Sequence, residues 1–154
     1  MHILHSLLPH RSLLETSSPS LQARVPIPVK IPCFWCAAVT TTYLKINYFN
    51  GGEPGNGVGP TVIKMLSDAL EQVNTHIATH GDGVVPEGAF DYQALGFSWY
   101  SVNVNNHQQT FGVVGQAIDA LITFMLNYSS YGMAQFSIYD GDNHVGTGTL
   151  GPAF

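Results

Sequence analysis

The sequence predicts an α+β domain in which two amphipathic helices cover one face of a mostly antiparallel sheet of four or five strands. Three observations carry that prediction. Residues 61–80 repeat apolar side chains at helical spacing, with Val62, Met65, Leu66, Ala69, Leu70, Val73 and Ile77 on one stripe. Val114, Ala117, Ile118, Leu121, Phe124 and Met125 form a second such stripe. Around both lie short runs in which apolar and polar residues alternate, the period of a half-buried strand. The expected order is β-α-β-β-α-β, a ferredoxin-like plait, or β-α-β-α-β-β if residues 89–95 are a loop.

Residues 42–49 alternate cleanly. Leu44, Ile46 and Tyr48 are expected on one face; Tyr43, Lys45, Asn47 and Phe49 on the other. A glycine-rich stretch, 51–60, leads into the first helix. Its spacing is neither G-x-G-x-x-G nor G-K-[ST], and Glu53 stands where a phosphate would sit, so it reads as a connection and not a nucleotide loop. Pro60 suits a first helical turn, and Gly81 suits the stop. Residues 89–95 are a short strand with Phe90 and Tyr92 inward, and Gly96 turns the chain into 97–104. There Tyr100, Val102 and Val104 are expected inward, with Trp99 on the opposite face beside Phe97 as a cover or contact patch. A polar knot, Asn105-Asn106-His107-Gln108-Gln109, precedes Thr110, which opens the second helix. Tyr131-Gly132 is its expected stop. Ala134, Phe136 and Ile138 then alternate inward, Asp140-Gly141-Asp142-Asn143 signals a hairpin, and the glycine-containing run 144–150 returns as an edge strand.

The boundaries follow from composition. Residues 1–41 are expected to be a leader or disordered tail, 42–150 the single α+β domain, and 151–154 a C-terminal tail. Residues 1–30 are rich in Leu and Ser and poor in acids, and prolines interrupt them, which suits either an organelle-targeting peptide or an untidy tail. Cys33 and Cys36 form a C-x-x-C. Pro32 precedes it and an extended Ala-Ala-Val-Thr run follows, so it reads as part of the leader and not as a redox or zinc motif. No apolar run approaches the ~20 residues of a membrane span.

Charge is sparse and lopsided. Only 10% of the 154 residues are charged, against a usual quarter. All five cationic residues lie at or before Lys64, and the remaining chain carries acids alone. Such a body repels phosphate backbones, which argues against nucleic-acid binding. A surface built on Asn, Gln, Ser, Thr, Tyr and Gly is more typical of extracellular proteins.

Few residues group into chemistry. The hydrolase elbow G-x-S-x-G is absent. His76 and His80 stand at i, i+4 without a third ligand nearby in sequence, and read as a solvated helix end. Asp140, Asp142 and Asn143 lack the spacing of a calcium loop. Asn127-Tyr128-Ser129 is a glycosylation sequon, with meaning only in a secreted chain. The knot is the candidate site: it follows a strand end and precedes a helix, where ligands gather in open α/β sheets. Asn105, Asn106, His107 and Gln108 are its candidate binding residues, together with Trp99. In an enzymatic alternative His107 acts as acid or base with a nearby carboxylate such as Asp140. No metal and no cofactor is expected.

Asn105–Thr110 running into Gly112-Val-Val-Gly115, with Phe136-Ser-Ile-Tyr-Asp-Gly141 after it, resembles segments of small fungal proteins, many of them secreted. The layout also resembles α/β killer-toxin and effector domains. The resemblance implies secretion and interaction more than catalysis. The expected function is therefore a small, secreted, non-enzymatic binding protein whose partner is a protein or a carbohydrate. The alternative is a small hydrolase or ligand-processing enzyme built on His107.

Overall fold

Alternating residues from six stretches join in one antiparallel sheet. The computed structural model describes residues 30–52 and 58–153. Its strands are β1 (Cys33–Cys36), β2 (Thr42–Gly52), β3 (Ala89–Ala94), β4 (Phe97–Asn103), β5 (Tyr131–Asp140) and β6 (Asn143–Pro152); its helices are α1 (Val58–His80) and α2 (Phe111–Tyr128). The order across the sheet is β1-β2-β5-β6-β4-β3, and each neighbouring pair is antiparallel. Both helices pack on the same face, α2 against β2 and α1 against β5, and against each other.

The α+β class and the two covering helices match the sequence reading. The sheet has six strands, not four or five. The order β-α-β-β-α-β runs from β2 to β5, but the strand order is not that of a plait. In a plait the first and third strands lie side by side; here β5 and β6 stand between β2 and β4. The run expected as an edge strand, β6, is therefore central. Its glycines are there for packing: a Cβ on Gly148 would run into the Phe136 ring, and one on Gly146 would press on the buried Gln109 amide.

The sheet also begins earlier than residue 42. Cys33–Cys36 pairs with β2, from Cys33 opposite Ile46 to Cys36 opposite Tyr43. Trp35 is buried, its ring edge-on to Phe124 and Tyr128, and its Nε1–H donates to Thr123 Oγ1 at 2.9 Å. A ring of that size filling a gap beside α2 makes β1 part of the core rather than of a leader. The earlier leader residues, 1–29, lie outside the described residues, as does most of the glycine-rich connection.

The helix stripes are seated as their spacing requires. Val62, Met65, Leu66, Ala69 and Val73 of α1 are fully buried, as are Val114, Ala117, Ile118, Leu121, Phe124 and Met125 of α2. Gly81, at φ +85°, ends α1 and donates its N–H to the Ile77 carbonyl. Thr110 caps α2, its hydroxyl accepting from the Val113 N–H at 3.2 Å. The stop of α2 is Ser129, in the left-handed region at φ 49°, two residues before the expected Tyr131-Gly132. Among the described residues one helix, α2, is long and apolar enough to cross a membrane, and most of its apolar residues are buried against the sheet and α1, Leu126 excepted.

Candidate functional site

The sheet face opposite the helices carries the side chains that β2, β4, β5 and β6 turn away from the core. Two local irregularities decide which ones. In β2 a bulge between Ile46 and Tyr48 puts Asn47 and Tyr48 in succession on the open face and returns Phe49 to the core, edge-on to Phe124. This overturns the strict alternation that placed Tyr48 with Leu44 and Ile46. In β4 the faces are the reverse of those expected. Trp99 is fully buried against Phe136, with centroids 4.8 Å apart, and Ser101 is buried beside it. Its Nε1–H donates to Ser101 Oγ at 3.2 Å. Tyr100 instead points outward. Trp99 is thus a core residue and no contact patch; its indole is large enough to need the helix-covered side.

The result is a continuous cross-strand row. Tyr48 stands opposite Gln135, Gln135 opposite Thr149, Thr149 opposite Tyr100, and Tyr100 opposite Asp91. Tyr48 and Tyr100 are 44% and 43% exposed, so both rings reach solvent. Three strand spacings, about 14 Å, separate β2 from β4. Between them lies a shallow depression of about 410 Å³, lined by Tyr48, Ser98, Met133, Gln135, Thr149 and Gly151. Its side chains are amides, hydroxyls, an aromatic ring and a thioether, with no ionised group.

A second row of rings on this face is built differently. Tyr43 and Tyr139 stack in parallel at 5.0 Å, His144 stacks on Tyr139 at 4.8 Å, and Phe34 meets Tyr43 edge-on. These rings spend their faces on one another. They brace β1, β2, β5 and β6 as cross-strand pairs do. Burial and the neighbouring Tyr139 raise the Tyr43 phenol above its ordinary 10.0. Among the described residues Tyr48 and Tyr100 belong to no such stack.

The polar knot has a structural task. Asn105 and Asn106 both lie in the left-handed region, at φ 57° and 60°, and the His107 N–H donates to the Val104 carbonyl. That is a turn needing positive φ at both central positions, which asparagine tolerates better than other side-chain-bearing residues. Gln109 is fully buried; its N–H donates to Asn103 Oδ1 at 2.9 Å and its side chain reaches the Gly88 carbonyl. The Asn105 amide lies 3.4 Å from His144 Nδ1. Asp140 accepts from the Thr41 hydroxyl at the β5–β6 turn. Neither His107 nor Asp140 lines the depression, and they share no hydrogen bond. Gln108 is exposed.

Other candidates resolve in the same way. Cys33 is buried, and burial pushes its thiol up to about 11; Cys36, three residues on in an extended strand, is also raised by burial. Raised thiols are poor nucleophiles at neutral pH. His76 stacks on Phe111 at 3.9 Å and on His80 at 4.7 Å. Among the described residues no three His, Cys, Asp or Glu side chains are grouped to hold a metal ion. Asn127 of the sequon is exposed at the end of α2.

Tyr48 and Tyr100 were hidden from sequence reasoning. A bulge leaves no mark in a run that already alternates, and β4 carries aromatics on both faces. Comparison with known proteins finds no matching family model, no matching curated protein and no matching solved structure.

Proposed function

We propose that this protein is a small, non-enzymatic binding module that works outside the cell and holds a neutral carbohydrate chain across the open face of its sheet. The observation that carries the reading is an exposed tyrosine, Tyr48, at a depression lined by Gln135, Thr149 and Ser98, with a second exposed tyrosine, Tyr100, beside Thr149 in the same cross-strand row. Sugar rings offer apolar C–H faces and a rim of hydroxyls. An aromatic ring suits the first, and amide and hydroxyl side chains suit the second. The absence of ionised side chains from the depression favours an uncharged ligand over a phosphorylated or sulfated one. The sparse charge of the whole chain, 10% of residues, agrees with an extracellular setting.

The test is titration with a panel of neutral oligosaccharides, from glucan, mannan and chitin, followed by amide chemical shifts. Binding is expected to perturb residues around Tyr48, Gln135, Thr149 and Tyr100, and to leave the oligosaccharide intact by mass. Tyr48→Ala and Tyr100→Ala are each expected to weaken binding about tenfold, the worth of one aromatic contact. Absence of perturbation on this face across the panel overturns the ligand class. Cleavage of the oligosaccharide overturns the non-enzymatic reading and returns attention to His107.

A further inference from the structure

We propose that the outer edge of β3 takes up an extended cationic peptide segment as a further strand, with every second peptide side chain entering the cleft between β3 and α1. This site lies at the sheet edge and does not rest on the carbohydrate reading.

The first support is the edge itself. β3 stands last in the sheet and pairs with β4 alone. Its six residues keep regular register, with no bulge, proline or lysine. Natural sheets blunt exposed edges with those very devices, or with short strands, because unpaired N–H and C=O groups recruit other chains. The opposite edge, β1, has only four residues. Among the described residues β3 is the edge left open, and strand addition at such an edge is an established mode of peptide recognition.

The second support is the cleft. A cleft of about 550 Å³ runs between α1 and Tyr92 of β3, and Asp68, Glu71, Thr75 and His76 of α1 line it. Tyr92 is half-buried on the helix side of β3, while Asp91 and Gln93 point to the other face. Side chains of an added strand alternate in the same way. One set meets Asp68 and Glu71 in the cleft; the other meets Asp91 and Gln93.

The third support is charge, which selects the occupant. Carboxylates wait on both faces of the added strand, and from Met65 to the C-terminus the sequence has no Lys or Arg. Lys64 engages Asp68 at 2.9 Å and lies within electrostatic reach of Glu71, leaving a net negative cleft, and Asp91 has no partner among the ion pairs of the described residues. A second copy of this chain is the competing occupant. Pairing β3 with another β3 brings the Asp91 carboxylates of two acidic edges together, and like charges across a strand pair are destabilising. A peptide with lysines or arginines among β-branched residues meets the opposite charge instead.

The experiment uses the full chain and a synthetic hexapeptide alternating lysine and valine, at a pH above the histidine range. Binding is followed by amide shifts and hydrogen exchange. The lysine–valine peptide is expected to bind and to slow exchange along β3, whereas a glutamate–valine peptide of the same pattern does not bind. N-methylation of alternate peptide amides is expected to abolish binding, since it removes strand pairing and leaves the charge. With the lysines in the cleft, Glu71→Gln is expected to weaken binding about threefold, as loss of one exposed ion pair does, while Asp91→Asn, which faces the valines, is expected to change it little. Failure of the lysine–valine peptide to bind overturns the proposal, as does equal binding of the N-methylated form. So does sedimentation of the free protein as a dimer with β3 already protected, which makes a second copy the occupant.

Discussion

Leu95 holds a left-handed backbone at φ 56°, with Gly96 behind it at φ 85°, in the tight turn between β3 and β4. Two positive φ values in succession suit Asn-Gly, and a leucine there is strained. Its side chain is 54% exposed, so little packing holds it in place. Leu95→Asn is expected to stabilise the fold by about 1 kcal/mol, read from the midpoint of urea unfolding. Cys33 supplies a pH dependence. Burial raises its thiol from 9.0 to about 11, so the unfolded chain loses this proton first. The contribution is fully present below about pH 9 and is lost as pH rises through about 11. Tyr43 and Tyr128, also raised by burial, act in the same direction. Cys33→Ala is expected to flatten part of the alkaline fall, measured as the change in unfolding midpoint across that window. Single residues were the hardest scale to read from sequence. Thr110 announced a helix start, because its cap acts through a local backbone bond. Trp99, Tyr100 and Tyr48 were assigned to the wrong faces, because a strand's inward face is settled by its partners across the sheet.

At the scale of elements, both helices were legible because each repeats its apolar residues over several turns. β1 was not, because four residues carry too little alternation and a proline-rich stretch precedes them. Its place in the fold is nonetheless firm. Trp35 fills a site beside Phe124 and Tyr128, and Cys33 and Ala37 are buried with it. A chain beginning at Thr42 is expected to lose about 3–5 kcal/mol of stability, the range for removing one large buried aromatic. Chemical unfolding of that shortened chain beside the full one measures the difference. Equal stability would return Cys33–Cys36 to the role of a leader. The β5–β6 hairpin was legible from Asp140-Gly141 and the alternation before it. Its position was not, since glycine in a strand signals close approach as well as an exposed edge. Gly146 and Gly148 are of the first kind.

At the scale of the molecule, the helix layer buries one face of the sheet and leaves the other to solvent, and the two proposed sites divide the exposed backbone and side chains between them. The uncharged depression lies on the open face. The acidic cleft lies at the β3 edge, where α1 overhangs it. The lopsided charge was visible in the sequence, but its meeting with an unpaired strand edge required the strand order. That order has a further consequence. β5 and β6 follow the other described elements in sequence, yet they occupy the middle of the sheet. Until they arrive, β1-β2 and β3-β4 are two ribbons joined only through the helices, and isolated two-stranded ribbons are at best marginally stable in water. During synthesis the growing polypeptide thus waits for residues 131–152 to emerge before its sheet can close. The keystone is laid after the stones on either side of it.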